Sequence, residues 1–152
     1  MRKYSFLCFI FFIFLSCTSP YADKKDDNKN NNTEKDNSEL TLKERAGKYL
    51  EEKKTPYYDE SAEVNISEQG VLSISITKKV RWEVRTITSN IDISDQMNNQ
   101  LLGLKVNGVF HDSLFPDKET SSEVSFIFLS PQTISVSFFH DDYFYIYELE
   151  KV

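Results

Sequence analysis

The side chains of this chain that are best suited to chemistry lie in two short segments. Its two histidines are each followed by aspartate, in His111-Asp112 and in His140-Asp141-Asp142. Two histidines assisted by carboxylates could hold a metal ion if both segments lay at the same end of the fold. Aspartate and histidine are also frequent at turns and strand ends, and neither segment has ligand spacing within one element. We therefore favour the turn interpretation and predict neither a metal site nor a cofactor.

Other patterns of catalysis have little support in the sequence. The paired carboxylates Glu51-Glu52 and Asp59-Glu60 fall in a polar connection, where a solvated surface is the simpler interpretation. The Gly-x-Ser-x-Gly motif is absent, and four glycines are too few for a phosphate-binding loop. The serines of the alternating segments fall on the predicted wet face; these are Ser73, Ser75, Ser135 and Ser137. We predict that the protein is not an enzyme and has no catalytic residues.

The start of the chain predicts export. Arg2 and Lys3 precede a mostly apolar run over residues 4–15, and Ser16 then precedes Cys17. This is the layout of a secretory signal peptide, and the apolar run is too short to remain as a membrane-spanning helix. The ending Leu15-Ser16-Cys17 resembles a bacterial lipoprotein signal with its lipobox, although Phe14 replaces the usual leucine. The resemblance implies that Cys17 is acylated and begins the mature chain. An ordinary cleaved signal and an uncleaved anchor are the alternatives.

Composition divides the chain into a signal peptide (1–16), a tether (17–37) and one domain (38–152). The tether is dominated by Asp, Lys and Asn, with too little apolar surface to offset its ordering entropy, so we predict that it is disordered. Both cysteines, Cys8 and Cys17, precede the domain, which excludes a disulfide framework within it. The net charge of −6 argues against nucleic acid as a partner and against electrostatic docking on anionic lipid.

Within the domain, residues 38–46 predict a short helix, with Thr41 and Glu44 as a capping box. Lys48 and the two residues after it can begin a first strand, and continuation of the helix to Glu52 is the alternative. From Ser61 onward the hydrophobic period is two, which is typical of half-buried strands. The alternating segments lie around residues 62–66, 72–76, 80–84, 102–106, 124–128, 134–138 and 143–149. Residues 91–93 can add another short strand.

The connections are predicted from turn residues. Gly70 marks a hairpin after the second strand, and a change of register near Thr86-Ile87 suggests a bulge or bend. Asn107-Gly108 is the strongest short-range hairpin signal in the chain. Residues 114–121, which include Pro116, are predicted to form a loop.

Seven to nine short strands joined by hairpins predict an antiparallel meander, closed into a small barrel or folded as a sandwich. Closure is favoured because it leaves no exposed edge strand. The domain resembles the lipocalin-like (calycin) bacterial lipoproteins, although Tyr49 stands where a Gly-x-Trp motif would have tryptophan. The resemblance is carried by Ala46-Gly47-Lys48-Tyr49, by Val64-Asn65-Ile66-Ser67 through Gly70 into Leu72-Ser73-Ile74, and by Tyr145-Ile146-Tyr147-Glu148-Leu149.

Aromatic residues crowd into the last three strands, and both faces of the final strand are aromatic. We expect Phe126, Phe128 and Phe138 to fill the barrel. The other face is either covered by the N-terminal helix, with Leu40, Leu42 and Tyr49, or exposed as a binding surface, and we favour covering.

Two functions remain open: a non-catalytic surface lipoprotein that binds a host or envelope macromolecule, and a carrier of a small hydrophobic ligand. A filled barrel favours the first, and a cavity of several hundred Å³ would favour the second. We expect a monomer in the cell envelope, at the outer membrane if the bacterium has two.

Overall fold

The computed structural model describes residues 35–152, so the predicted signal peptide, Cys17 and most of the predicted tether lie outside the described residues. Eight antiparallel strands, each paired with its neighbour in sequence, form a closed barrel in which β8 also pairs with β1. The predicted antiparallel barrel is confirmed, and the sandwich alternative is excluded. The strands are β1 (Gly47–Lys54), β2 (Asp59–Ile66), β3 (Val71–Val80), β4 (Glu83–Asp92), β5 (Gly103–Asp112), β6 (Phe115–Phe128), β7 (Thr133–His140) and β8 (Tyr143–Lys151).

The alternation of the sequence decides which side chains face the barrel axis. Leu72, Ile74 and Ile76 of β3 are buried, whereas the residues between them face outward. Phe126, Phe128 and Phe138 are all buried, as predicted. Each such apolar side chain contributes about 1.5–3 kcal/mol when it leaves water, so the inner face provides most of the driving force for folding.

Because the strands are antiparallel and follow one another, the barrel has two distinct ends. We call the end that carries the turns at 55–58, 81–82, 113–114 and 141–142 the open end. The opposite, closed end is covered by the N-terminal segment and by the connection after β4. Leu42 is buried there and its amide donates to the Asn99 carbonyl at 3.0 Å. Ile93 and Met97 are buried beside it.

The predicted N-terminal helix is present only as two short turns: a 3-10 helix over Asn37–Glu39 and a hydrogen-bonded turn over residues 42–45. The predicted capping box does form. The Thr41 amide donates to Glu44 Oε2 at 2.8 Å, and the Glu44 amide donates to Thr41 Oγ1 at 3.3 Å. Lys35 also bonds to Glu44, and chiefly this contact lowers the pKa of Glu44 to about 2.

The predicted strand over residues 80–84 is instead a hairpin. β3 and β4 pair in unbroken register from Val71–Asp92 to Val80–Glu83, with Arg81 at φ 51° in the turn. Val84 pairs with Lys79 on the outer face, whereas Ile87 faces the core. The apparent register change near Thr86-Ile87 therefore marks a switch from outer to inner apolar residues, and the predicted bulge is wrong.

Asn107-Gly108 does not turn the chain. Both residues lie within β5, where Asn107 pairs with Glu123 and Gly108 with Ser122. Gly108 faces inward, and a Cβ atom there would lie 2.8 Å from Ile91 Cδ1. This glycine is required for close packing between neighbouring strands and not for a left-handed turn.

Residues 114–121, predicted as a loop, contain the start of β6. The chain reverses at Ser113-Leu114, with a register shift at His111/Asp112. β7 pairs with β6 only from Val124 onward, so the first part of β6 has one neighbour. An edge of this kind tolerates Pro116, because no partner needs an amide hydrogen there.

Candidate functional site

A cavity of about 540 Å³ occupies the half of the barrel nearest the open end; we call it the cup. Its floor is formed by Ala62, Ile76 and Ile87 on β2, β3 and β4. One step closer to the mouth, the same strands carry Glu60, Lys78 and Arg85. The remaining lining residues are Glu51, Lys53 and residues 143–147 of β8. The expectation of a filled barrel is therefore wrong for this half of the molecule, whereas the closed half is filled.

The cup exists because β1 and β8 separate. They pair only at Tyr49–Lys151 and Leu50–Glu150, next to the closed end. Farther along, the side chain of Glu51 crosses the gap and accepts a hydrogen bond from the Glu148 amide at 3.2 Å. The barrel therefore widens on this side, and the space between the two strands joins the cup.

Tyr145 and Tyr147, which line one wall of the cup, belong to a row of aromatic rings. The rings of Phe110 and Phe138 lie 4.5 Å apart, and those of Phe138 and Tyr145 lie 5.2 Å apart. Tyr147 continues the row, with its ring 6.4 Å from that of Tyr145. Its hydroxyl donates to Glu60 Oε1 at 2.7 Å. Burial, together with this bond to a carboxylate, raises the pKa of Tyr147, so the phenol stays protonated and donates.

A buried charged cluster lies beside the cup at the open end. Asp112 is 2% exposed and accepts hydrogen bonds from Arg85, whose Nε lies 2.8 Å from Oδ2, and from the Leu114 amide at 3.0 Å. His140 Nε2 lies 3.3 Å from the same Oδ2. Burial alone would raise the pKa of Asp112, but these hydrogen bonds lower it overall. The bond to Asp112 likewise raises the pKa of Arg85.

Asp141, in the turn between β7 and β8, extends this cluster toward solvent. It accepts from Lys118 Nζ at 2.6 Å and lies 3.3 Å from the Arg85 guanidinium. The Lys118 bond chiefly lowers the pKa of Asp141, so the carboxylate is charged over the whole physiological range. Arg85 is thus held between two carboxylates at the edge of the cup.

The two histidine segments do lie at the same end, as a shared metal site would require, but only one histidine takes part. His111 faces outward and pairs with Glu119 at 3.7 Å. Ligand atoms of Asp112, His140 and Asp141 lie within 4.8 Å of one another. The Arg85 guanidinium already bonds to both carboxylates. A metal ion would have to displace this fixed positive charge, so the donor set fits an ion-pair network better than a metal.

Several residues that line the cup were missed by sequence reasoning. Glu51 and Glu60, predicted as solvated surface, both line the cup. The signal was available: Glu60, Lys78 and Arg85 are in phase with the buried residues of their strands. A charged side chain at an inward position near a strand end indicates a polar cavity or a buried ion pair.

The second face of the aromatic strands is exposed and not covered. Phe139, Phe144 and Ile146 lie on the outside of β7 and β8, and the rings of Phe139 and Phe144 are 4.9 Å apart. Leu42 and Tyr49, predicted to cover this face, are buried at the closed end, where Tyr49 donates to the Arg45 carbonyl at 2.7 Å. The predicted covering is therefore wrong.

Together these features define a class: a small, closed, eight-stranded antiparallel barrel, consistent with a lipocalin-like barrel, with a ligand-sized cup at one end. Comparison with protein-family models, curated proteins and solved structures found no match for the chain. Among residues 35–152, no helix has the length and apolar character needed to cross a bilayer.

Proposed function

We propose that this chain is a non-catalytic bacterial envelope lipoprotein whose barrel binds a small amphipathic molecule in the cup. The observation that carries the proposal is the cavity of about 540 Å³ within the barrel, which lies in the range of small-molecule sites. Attachment through acylated Cys17 rests on the resemblance of the leader to a lipoprotein signal.

The lining of the cup supports an amphipathic ligand. Ala62, Ile76 and Ile87 offer an apolar floor, and burial of a ligand's hydrocarbon part there contributes about 25 cal/mol per Å². Above the floor, Glu60 and Lys78 place opposite charges 3.7 Å apart. These groups, with Arg85, can orient a polar headgroup toward the mouth.

The buried cluster supports a non-catalytic role for the charged residues. Both carboxylate oxygens of Asp112 already accept hydrogen bonds, and Arg85 bonds to Asp112 and to Asp141. Groups engaged with one another in this way position a wall of the cup and stabilise the open end.

A pair of neighbouring substitutions on β2 tests the proposal. Ala62→Trp places a large side chain in the cup, whereas Ser61→Trp places the same side chain on the outer face. A hydrophobic fluorescent probe should bind the wild type and Ser61→Trp with one saturable site. Its affinity for Ala62→Trp should fall at least about tenfold, equivalent to roughly 1.4 kcal/mol. Melting curves for all three proteins report whether each is folded.

Equal probe affinity in both folded variants would place the probe outside the cup and contradict the proposal.

The second candidate function, binding of a macromolecule, is favoured by the exposed strip of Phe139, Phe144 and Ile146. Phe139→Ser, a change in the part of the strip that does not line the cup, separates the two functions. It should leave probe binding in the cup unchanged and abolish any binding that depends on the outer strip.

A further inference from the structure

The tips of all four hairpins at the open end carry large exposed apolar side chains. Tyr57 and Trp82 are 82% and 85% exposed on the β1–β2 and β3–β4 turns. Leu114 lies in the β5–β6 turn and Phe115 follows it as the first residue of β6, and Tyr143, the first residue of β8, is 66% exposed. We call these five residues the rim, because they lie at the four turns of the open end.

The distribution of exposed aromatic residues along the barrel is one-sided. Every exposed aromatic side chain among residues 35–152 lies in the half of the barrel near the open end. At the closed end, the large exposed apolar residues are aliphatic, including Leu102 and Leu129. Random surface exposure would not select aromatic residues at one end, so the rim requires a specific explanation.

We propose that the rim docks onto the surface of a lipid bilayer, so that the mouth of the cup faces the membrane. Tryptophan and tyrosine favour the membrane–water interface because their rings are apolar while their polar atoms remain hydrated. A planar surface contacts four separate tips around a mouth at once, whereas a protein partner would have to bridge the hollow between them.

The charges near the rim fit a neutral membrane surface. Arg81 lies next to Trp82, with its guanidinium 5.7 Å from the ring, and Lys118 is neutralised by Asp141. Carboxylates at this end, among them Glu83 and Asp142, offset the cations, and the chain as a whole is acidic. Attraction to anionic lipid is therefore weak, and the aromatic side chains provide the contact.

The chain beyond the described residues is long enough to allow this orientation. Lys35 lies at the closed end, where Asn37 donates to the Phe128 carbonyl at 2.8 Å. A barrel built from strands of about ten residues is roughly 30 Å long. The stretch from Cys17 to Lys35 spans up to about 60 Å when extended. An anchor at Cys17, which rests on the proposed function, and the rim can therefore contact the same bilayer.

Trp82 is the single tryptophan of the chain, so its fluorescence reports directly on the rim. The processed chain is mixed with phosphatidylcholine vesicles, with and without bromine on the acyl chains. With wild type, we expect a shift of emission to shorter wavelength and a loss of intensity in the brominated vesicles. The control combines Trp82→Phe with Leu129→Trp, which moves the reporter to the exposed surface of the closed end. Its emission should stay at the wavelength of water-exposed tryptophan and remain unquenched.

Unshifted and unquenched Trp82 emission in protein that floats with the vesicles would overturn the docking proposal. Equal quenching of the reporter at both ends would overturn it as well, because it would show contact without orientation. Failure of the Cys17 anchor has a different signature: mass spectrometry would show Cys17 without added lipid. In that case, a shift of Trp82 with added vesicles still supports the rim, and its absence still refutes it.

Discussion

Replacing Asp112 with asparagine removes one charge from the buried cluster while keeping the shape of the side chain. Asp112 is 2% exposed and holds Arg85, the Leu114 amide and His140 in place. The substitution leaves the guanidinium of Arg85, which is 23% exposed at its side chain, without its main counter-ion. It therefore tests whether this network stabilises the open end of the barrel.

The expected loss follows from the burial of the two partners. Breaking a buried ion pair by removing one partner costs about 3–5 kcal/mol when the remaining charge is uncompensated. Arg85 keeps partial access to water and its contact with Asp141 at 3.3 Å. We therefore expect Asp112→Asn to lower the free energy of unfolding by about 2–3 kcal/mol at neutral pH. That is a large part of the roughly 5–15 kcal/mol typical of a small domain.

The pH dependence of this loss has a definite sign. The pKa of Asp112 is lowered in the folded state, so its charged form stabilises the fold above the ordinary carboxyl range, about pH 4. This stabilisation is lost as the pH falls below that range and through the lowered pKa. The difference between wild type and Asp112→Asn should therefore be full at pH 7 and shrink on acidification below about pH 4.

Urea unfolding of Asp112→Asn, Arg85→Gln and the double variant measures the effect. Coupling of about 1–3 kcal/mol between the two sites is expected for side chains in direct contact. Asp142→Asn, an exposed change in the adjacent turn, is the matched control and should shift stability by less than about 0.5 kcal/mol. A loss for Asp112→Asn no larger than that of the control, or additive single changes, would refute the role assigned to this network.

Two further changes test the core and a turn. Phe126→Ala should cost about 3–5 kcal/mol, because the ring is 2% exposed and leaves a cavity, whereas its outward neighbour Ile127→Ala should cost less than about 1 kcal/mol. Equal melting shifts for the two would contradict the assignment of inner and outer faces. Gly70→Ala should cost more than about 2 kcal/mol, because φ is +85° and a Cβ atom would lie 2.4 Å from Ser94 Cα. Gly103→Ala is the control, because Gly103 has no positive φ, and we expect it to lose less stability than Gly70→Ala. Equal losses for the two variants would show that the turn at Gly70 adapts to a side chain.

Hydrophobic alternation predicted the barrel well because every strand has one face toward a common core. The residues from Leu72 to Ile76 and from Ile134 to Phe138 need no knowledge of their partners to be assigned an inner face. The alternation of apolar residues assigns Val80, Trp82 and Val84 to one strand. In the structure a two-residue turn, 81–82, lies between β3 and β4, and it leaves the alternation unbroken. Period-two patterns cannot locate a turn that preserves the period.

Asn107-Gly108 shows the limit of local turn signals. The dipeptide favours a turn in isolation, but β5 pairs along its whole length with β6, and Gly108 faces the crowded interior beside Ile91. Tertiary packing selects glycine there for its missing side chain. Pro116 indicated a loop, but it lies within β6, because an edge position allows proline within a strand.

The cup could not be predicted from composition, because its volume depends on how two distant strands meet. β1 and β8 lie at opposite ends of the domain sequence, and they pair only near the closed end before Glu51 crosses between them. Phe126, Phe128 and Phe138 are buried in the core as expected, whereas Tyr145 and Tyr147, stacked along β8, line the cup.

The open end combines the cup, which can hold a ligand, with the rim, which can contact a bilayer. A carrier of membrane-derived ligands needs both. A ligand with an exposed hydrocarbon part pays a hydration cost when it crosses water between a membrane and a binding site. A rim that contacts the bilayer removes that step, because Trp82 and Tyr143 would bring the mouth of the cup to the lipid surface. The polar ring of Glu60, Lys78 and Arg85 would then lie at the depth of the headgroups, between the lipid and the apolar floor. The cup variant Ala62→Trp and the Trp82 reporter test these two halves separately, and a carrier of membrane-derived ligands requires both results.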